Sequence, residues 1–400
     1  MKEYITIKNF GPLKHIEKIE LKPFTILIGE TASGKSTLMK VVALMRYLFK
    51  MANIRSYLKY SKITRSPIRM RFDFMLARMG LLYMLSADTL IEYCVQFDED
   101  EYVIKVSNKK LNILPNIKRE HLSLNKVSFI SENRNIIPTW VEKASQNVGA
   151  SLGFYFQETN NDFCQASAVE KTLNLNFLGL KLHISHPKGK NRQYKIEHTN
   201  NESSSIKLAE ASSGIQFSTP ILLIASYLCK EFSFKEAFNR YILNYLHEAD
   251  EVTKFKPVAE HTELQKVVHI HIEEPELSLF PNAQYKFVKE LVETISQTPP
   301  DRTASLMLAT HSPYILSAIN NMMYAYSVGL DPSKSDEVAS LISKKYWINP
   351  DDVSVFLVCD GGITNIMDED LKQIQVEKID TASTIMNEQY DQILNISLNN

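Results

Sequence analysis

Short apolar runs that end at a glycine or at polar residues recur along the chain, and they have the length of buried β-strands. PFTILIG, VVHIHI and SLMLAT are three such runs, at residues 23–29, 267–272 and 305–310. Apolar, β-branched runs of about four to eight residues are typical of strands that are covered on both faces. The stretch STLMKVVALMRYLF at 36–49 has a broad apolar face at helical spacing, which predicts a helix directly after the first strand. This order of strand, turn and helix predicts an α/β protein.

Alternating apolar and polar positions indicate a second kind of strand. EYCVQF, YVIKVS and KLNIL alternate in this way and predict a small antiparallel sheet within 92–118. LKLHISH and RQYKIEH flank PKGKN, which predicts a β-hairpin before the polar stretch TNNESSS. Helical spacing fills most of 215–247, and 226–262 has no sustained heptad repeat. These patterns predict a composite unit without a long coiled coil.

The turn between the first buried strand and the first helix has the spacing of a phosphate-binding loop. Residues 29–37 read GETASGKST and fit G-x-x-x-x-G-K-[ST] in full. In such a loop backbone N–H groups turn toward phosphates, the lysine reaches the outer phosphates, and the next hydroxyl ligates magnesium. A chance glycine turn is the alternative, and the flanking strand and helix argue against it. We predict that ATP is bound by Gly29, Glu30, Thr31, Ala32, Ser33, Gly34, Lys35, Ser36 and Thr37, and that Ser36 also ligates Mg²⁺.

Two adjacent carboxylates follow the second apolar run. Glu273 and Glu274 come directly after VVHIHI, and neighbouring residues of a strand point to opposite faces. One carboxylate is then free to hold Mg²⁺ while the next faces the attacking water, which is the division of work that phosphoryl transfer needs. We assign Glu273 to the metal and Glu274 to the water. A solvated acidic turn, EEPE, is the alternative for this segment taken alone.

Histidines occur at two strand positions. His311 follows SLMLAT and precedes Ser312 and Pro313, where a histidine is placed to donate a hydrogen bond to a γ-phosphate. We predict that His311 is catalytic because a P-loop and an acidic pair accompany it; a lone histidine is more often structural. His269 and His271 share one strand face, and without a third ligand they are interpreted as packing or partner contacts.

The P-loop, the acidic pair and the strand-end histidine, together with ASSGIQ at 211–216, resemble the ABC-type ATPase heads of the RecF, SMC and OLD branch. In that branch ASSGIQ corresponds to the signature loop, which implies that Ser213, Gly214 and Gln216 contact ATP held by the opposite subunit. The resemblance implies an ABC-type P-loop NTPase head with a mixed central sheet, a small antiparallel sheet lobe and helical inserts. EEPELSLFP resembles the acidic pair and D-loop, although Phe280 stands where a histidine is more usual.

The same resemblance implies an ATP hydrolase that needs ATP and Mg²⁺ and forms a homodimer or a higher oligomer around two ATP molecules. OLD-family nucleases continue into a TOPRIM domain with its own acidic cluster, whereas Asp368, Glu369 and Asp370 are interpreted as a solvated turn. Any nuclease or toxin is therefore expected to be a separate effector protein, as in anti-phage systems such as Septu or PARIS. A RecF-like DNA-binding ATPase of repair or recombination is the alternative.

Charge limits the choice of partners. The chain has 400 residues, 44% of them hydrophobic and 23% charged, and its net charge is −1, which does not fit a globally basic DNA-wrapping protein. The window 46–78 is locally basic and contains interleaved aromatic residues, so it fits nucleic acid, an acidic protein partner or a solvated helix face. Its cations are Arg46, Lys50, Arg55, Lys59, Lys62, Arg65, Arg69, Arg71 and Arg78. Scattered cysteines and the lack of a long apolar segment lead us to expect a cytoplasmic protein without a membrane role.

We predict a single composite ATPase head over 1–400 with recognisable parts. These are a basic helical insert at 46–91, an antiparallel sheet segment at 92–118, a lobe with the signature, acidic pair and His311 at 205–320, and a C-terminal extension at 321–400. FISENR at 129–134 is interpreted as a strand and turn. Arg134 in that turn is either a nucleotide or interface residue or a surface arginine.

Overall fold

A computed structural model describes the chain in eight stretches. They are residues 1–63, 71–142, 152–188, 191–199, 201–249, 264–368, 370–375 and 381–398.

Groups of strands and groups of helices follow one another along the chain. The strands are β1 (Lys2–Phe10), β2 (Leu13–Glu20), β3 (Phe24–Ile28), β4 (Leu85–Phe97), β5 (Asp100–Ser107), β6 (Lys110–Ile113), β7 (Ser123–Ile130), β8 (Thr172–Leu175), β9 (Leu180–Ser185), β10 (Gln193–His198), β11 (Asn201–Lys207), β12 (Gln265–Glu273), β13 (Arg302–Thr310), β14 (Val353–Cys359), β15 (Gly362–Asn365), β16 (Met367–Asp368) and β17 (Gln373–Ile374). The helices are α1 (Lys35–Tyr60), α2 (Phe72–Arg78), α3 (Ile137–Glu142), α4 (Phe154–Val169), α5 (Ser213–Ser226), α6 (Phe234–Ala249), α7 (Pro281–Ser296), α8 (Pro313–Gly329), α9 (Ser335–Leu341) and α10 (Thr381–Leu398). The mixed α/β fold class is confirmed.

The central sheet brings the predicted motifs together at the carboxyl ends of its parallel strands. Its six strands lie in the order β15-β14-β3-β13-β12-β7, and all are parallel except β15. The register pairs Ile28 with Thr310 and Ala309 with Glu273, so the P-loop, the acidic pair and His311 all follow the same ends of neighbouring strands. Ligands of open α/β sheets bind at these carboxyl ends. The fold therefore collects residues that are far apart in sequence.

A second, antiparallel sheet packs against the middle of α1, where the ring centroids of Phe49 and Tyr93 lie 6.5 Å apart. Its order is β2-β1-β4-β5-β6, so the opening hairpin joins the strands that were predicted within 92–118. Strand β4 begins at Leu85, which corrects the predicted end of the helical insert at 91. The residues before EYCVQF pair with β1 as far as Leu85, and this long pairing extends the strand upstream of its apolar core.

The polar stretch TNNESSS, which leads to the signature loop, contributes residues 201–205 to a third sheet. Residues Asn201–Lys207 form β11, which pairs with β10 in the order β11-β10-β9-β8. Polar residues suffice there because β11 is an edge strand whose partner supplies the hydrogen bonds. The predicted boundary at 320/321 is also wrong, because α8 runs through it from Pro313 to Gly329 as one helix.

A buried polar network ties the N-terminal sheet to α1 and to the central sheet. The Glu3 carboxylate accepts hydrogen bonds from Arg46 Nε and from the Tyr93 hydroxyl, both at 2.8 Å. Arg46 Nη1 lies 3.0 Å from His271 Nε2, and His271 Nδ1 lies 2.9 Å from the carbonyl of Ser128. Burial and the nearby Arg46 charge lower the pKa of His271 well below its usual value. His271 is thus a neutral core residue, as its packing interpretation requires.

The basic window proves to be largely a buried helix. Arg46 is 2% exposed and pairs with Glu3, so it is not available to phosphates. Lys50 lies over the Tyr241 ring, and its burial lowers its pKa to about 8. Helix α1 continues to Tyr60 with a buried face far beyond the P-loop, so only part of the window lies at the surface. Arg65 and Arg69 lie outside the described residues, and Lys59, Lys62, Arg71 and Arg78 are exposed.

The C-terminal part completes the sheet edge. β14 pairs with β3, and the predicted DGG turn joins it to β15. The final helix continues past the predicted end near Leu394 to Leu398. Asp368 Oδ1 accepts hydrogen bonds from the N–H groups of Asp370 and Leu371, which fits the predicted turn, while Glu369 lies outside the described residues. Over the stretches that the structure describes, no helix combines the length and apolar character needed to cross a membrane.

Candidate functional site

The P-loop has the backbone conformation that its glycines predict. Gly34 has φ 107° directly before α1, and Ala32 also has a left-handed φ of 64°. A Cβ on Gly29 would lie 2.3 Å from the carbonyl oxygen of Val358, so no larger residue fits between β3 and the end of β14. The Ser33 hydroxyl is buried and has no hydrogen-bond partner in the described chain. The loop therefore holds an unused donor, as expected of a cradle for phosphate oxygens.

Lys35 is held inside the loop that it is predicted to serve. Its ammonium donates to the carbonyls of Gly29 and Glu30 at 2.8 and 2.7 Å. Burial lowers the pKa of Lys35, and the charges of Glu274 and Glu276 oppose that shift. The ammonium is thus placed between the loop and the acidic end of β12. A phosphate chain in the loop would give it stronger, charge-assisted acceptors than carbonyl groups.

The side chains of Glu273 and Glu274 point to different parts of the site, and a turn of the backbone causes this, not strand alternation. Glu273 is the last residue of β12, whereas Glu274 lies beyond the strand with φ 43° and donates its N–H to the Ala309 carbonyl at 2.8 Å. A left-handed turn at this point redirects the chain at once, so strand alternation alone does not set the direction of the Glu274 side chain. Because this conformation is uncommon for a glutamate, the site carries local backbone strain.

Glu273 faces the P-loop helix. Its carboxylate lies 3.4 Å from the Lys40 ammonium, and the Ser36 hydroxyl acts on it from the first turn of α1. Burial raises the pKa of Glu273, while Lys40 and the Ser36 hydrogen bond act in the opposite direction. A hydroxyl and a carboxylate are the hard oxygen donors that Mg²⁺ prefers, so the neighbouring Ser36 and Glu273 fit the metal. Bound there, Mg²⁺ would supply charge neutralisation to the phosphates.

Glu274 faces His311 instead. Glu274 Oε1 lies 3.7 Å from His311 Nε2, and both side chains are about one-third exposed at 29% and 34%. The backbone N–H of His311 donates to Glu276 Oε1 at 2.6 Å, which fixes the start of the loop after β13. Glu274 and His311 are therefore neighbours at the open side of the site. Their catalytic roles stay predictions that this placement allows.

Arg134 is the functional residue that sequence reasoning left undecided. It is fully buried, and neither a surface position nor a direct nucleotide contact fits that burial. Its guanidinium donates to the carbonyls of Glu273 and Glu274 at 2.7 and 2.6 Å and to the Phe217 carbonyl at 2.9 Å. Burial lowers the pKa of Arg134 to about 10. Arg134 thus joins the acidic end of β12 to the helix that follows the signature loop, and only the arginine in FISENR hinted at it.

Replacement of Arg134 is expected to cost stability as well as activity. Arg134→Met leaves several buried carbonyls without a donor, so we expect a loss of at least about 3 kcal/mol in the free energy of unfolding. Urea denaturation followed by circular dichroism measures this loss. Arg192→Met is the matched control. The Arg192 guanidinium donates a 3.0 Å hydrogen bond to the Cys164 carbonyl, and this bond is not part of the site. Equal stability of the two variants would contradict the bracing role.

The signature residues pack against the loop that follows the acidic pair. A Cβ on Gly214 would lie 2.8 Å from the Ser278 carbonyl and 3.2 Å from Leu279, so glycine is required for this close approach. Ser213 is exposed at the first turn of α5. Gln216 Nε2 donates to the carbonyls of Ala209 and Ala211, both at 2.9 Å. Gln216 therefore braces the signature turn, and its predicted contact with ATP stays a prediction.

An open cavity of about 650 Å³ lies beside the P-loop. Residues 29–33 form one wall, His311 stands at another, and the DGG turn with Pro12 and Lys14 closes the far side. The Gly361 carbonyl accepts the N–H groups of Lys14 and His15 at 2.7 and 3.1 Å, which fixes that side to the β1–β2 hairpin. A cavity of this size next to a phosphate loop suits a nucleotide.

Known proteins similar to this chain are found both by family and by fold. A family model described as "AAA ATPase domain" matches residues 1–251. No curated protein sequence matches the chain. Among solved structures, the chain is similar to the SMC head domain from Thermotoga maritima, with 12% identity, coverage of 91% of this chain and 98% of that chain, and a TM-score of 0.41. It is also similar to the recombination mediator protein RecF-ATPrS of the RecFOR pathway, with 12% identity, coverage of 92% and 98%, and a TM-score of 0.34.

Proposed function

Because the chain belongs to the AAA ATPase domain family, we propose that it is an ATP-driven switch of the ABC type, which dimerises around two ATP molecules and controls a separate effector. ATP hydrolysis is the general reaction of its family. The dimer, the effector and the roles of individual residues are the finer parts of the proposal.

One observation supports the dimer. The signature loop is well packed, but in the described part of the chain it does not line the P-loop cavity. Gly214 packs on Ser278, and this contact holds Ser213 exposed at the start of α5. In the described part of the chain, none of the residues that line the P-loop cavity comes from 211–216. A helix N-terminus that presents exposed N–H groups is suited to bind phosphate. A second copy that presents this turn to the P-loop cavity would complete the site.

The switch is tested by the solution mass of the wild-type protein with ATP, with ADP and without nucleotide, each with Mg²⁺. Light scattering coupled to gel filtration should show a larger particle only with ATP, or with an ATP analogue that is hydrolysed slowly. A constant monomer mass with bound ATP would contradict the shared site. A constant dimer mass would contradict nucleotide-dependent dimerisation but would remain compatible with ATP hydrolysis.

Ser213→Arg is expected to prevent closure without affecting the P-loop. A long cationic side chain at the exposed first turn of α5 would clash with the opposite subunit, because in the proposed dimer this turn lies against the P-loop cavity of the second copy. We expect ATP binding by the monomer to remain within about twofold of the wild type, and ATP turnover to fall at least about tenfold. Ser205→Arg, on strand β11, is the control. Unchanged turnover in Ser213→Arg would exclude the signature role.

Control of a separate nuclease or toxin, as in Septu or PARIS, is the context that we propose for the switch. Its support is the resemblance of the four motifs to standalone ATPases of that branch. Co-expression with each protein encoded beside the gene, followed by nuclease and toxicity assays, tests this context. Effector activity that does not change when ATP binding is abolished would contradict it.

A RecF-like DNA-binding ATPase is the second candidate. Its support is the exposed remainder of the basic window, where the Arg71 guanidinium lies 5.5 Å from the Phe74 ring centroid and Arg78 lies 6.0 Å from it. Exposed arginines beside an exposed ring fit a phosphate backbone with stacked bases. Salt-dependent duplex binding that is lost in Arg71→Glu/Arg78→Glu favours this candidate, and salt-independent or absent binding favours the protein-directed switch.

A further inference from the structure

Lys40 lies on α1, outside the P-loop, next to the proposed metal ligand Glu273. Lys40 lies one helical turn after Ser36 on α1, so both side chains point to the same side of the helix. The Lys40 ammonium lies 3.4 Å from Glu273 Oε1. It also lies 5.0 Å from the centroid of the Tyr155 ring on α4. One flexible side chain therefore stands between a buried carboxylate and the face of an aromatic ring.

We propose that Lys40 is a resident counter-ion of Glu273, which leaves the carboxylate for the face of the Tyr155 ring when a divalent cation binds. The inference rests on the proposed ATPase site and adds to it a residue that sets metal affinity. Lys40 is a positioning residue in this role, because it acts on the metal ligand and not on the nucleotide.

Two physical requirements make the exchange necessary. A carboxylate that is 3% exposed is costly without a compensating charge, and Lys40 supplies that charge before the metal arrives. Two cations beside the same carboxylate repel each other strongly where water is excluded. Lys40 must then move away, at the cost of its ion pair with Glu273. The affinity of the metal site is therefore reduced by the strength of that pair.

The Tyr155 ring already lies 5.0 Å from the Lys40 ammonium and can retain it when the ion pair with Glu273 is broken. Aromatic faces attract ammonium groups, and this attraction grows where water is excluded. Tyr155 is fixed by its contact with Phe129, whose ring centroid lies 4.3 Å away. The ring is thus a rigid acceptor at a short distance from the carboxylate.

The test is the affinity for Mn²⁺, measured by electron paramagnetic resonance on the full chain with a saturating, slowly hydrolysed ATP analogue. Lys40→Met should bind Mn²⁺ about tenfold more tightly than the wild type, because the competing cation is gone. Lys50→Met is the matched control, since Lys50 lies on the same helix with its ammonium 4.4 Å from the Tyr241 ring centroid. It should bind Mn²⁺ with wild-type affinity.

The ring is tested in the same assay. Tyr155→Leu should weaken Mn²⁺ binding when Lys40 is present and have little effect in the Lys40→Met background, whereas Tyr155→Phe should keep wild-type affinity. If Lys40→Met does not fold, Lys40→Arg decides, because a bidentate guanidinium should hold Glu273 more firmly and weaken Mn²⁺ binding.

Two results overturn the inference while leaving the ATPase intact. One is unchanged or weaker Mn²⁺ binding in folded Lys40→Met, which would make Lys40 a fixed structural partner of Glu273. The other is an equal effect of Tyr155→Leu in both backgrounds, which would mean that the ring acts through packing alone. Failure of the wild type to bind Mn²⁺ with the nucleotide would overturn the proposed site itself, and the inference with it.

Discussion

Lys35→Ala is expected to weaken ATP binding by at least about tenfold while the protein keeps its fold. The Lys35 ammonium is the cation that the P-loop itself contributes, and its present acceptors are the carbonyls of Gly29 and Glu30. Charge-assisted bonds to phosphate oxygens are each worth about 1.5 to 3 kcal/mol, so their loss should raise the Kd for ATP by about tenfold to hundredfold or more. Calorimetric titration with ATP and Mg²⁺ measures the change.

The control for Lys35→Ala should share its helix and its charge. Lys59→Ala meets this condition, because Lys59 is exposed in the last turn of α1, at the opposite end from the P-loop. It should bind ATP as the wild type does. Thermal unfolding of both variants separates lost binding from lost fold, since Lys35→Ala also removes the donor for two loop carbonyls. Wild-type affinity in a folded Lys35→Ala would show that the cavity binds nucleotide in another way.

The P-loop could be predicted because its chemistry is local in sequence. A glycine at each end, a lysine and a hydroxyl must follow one another for the loop to form, so Gly29, Gly34, Lys35 and Ser36 are recognisable as a string. The buried strands were equally clear, because parallel strands covered on both faces require nearly continuous apolar runs. Both features depend on neighbours along the chain.

The parts that could not be predicted depend on contacts between distant residues. Arg134 looked like any turn arginine, and only the fold places it under Glu273 and Glu274. Arg46 looked like part of a basic surface in the sequence. In the fold it is buried, and it donates a hydrogen bond to Glu3 in β1. A charge pattern has no period that separates a buried ion pair from a solvated face.

Glu274→Gln is expected to bind ATP, to hydrolyse it about 10² to 10⁴ times more slowly than the wild type, and to accumulate as a closed dimer. The substitution keeps the size and shape of the side chain, so the left-handed backbone with φ 43° gains no new strain. It removes the Glu274 carboxylate, which lies 3.7 Å from His311 Nε2 and which we propose takes a proton from the attacking water. ATP would then hold the two copies together, because the step that releases them is blocked.

Two measurements on Glu274→Gln separate the steps. Release of phosphate under single-turnover conditions reports hydrolysis, and solution mass with ATP and Mg²⁺ reports closure. Glu17→Gln is the control, since the Glu17 side chain is 87% exposed and should leave both unchanged. Wild-type hydrolysis in Glu274→Gln would show that another group positions the water. Slow hydrolysis with a monomer mass would keep Glu274 as the catalytic base and move the site into a single chain, because closure would then not be needed for ATP to stay bound.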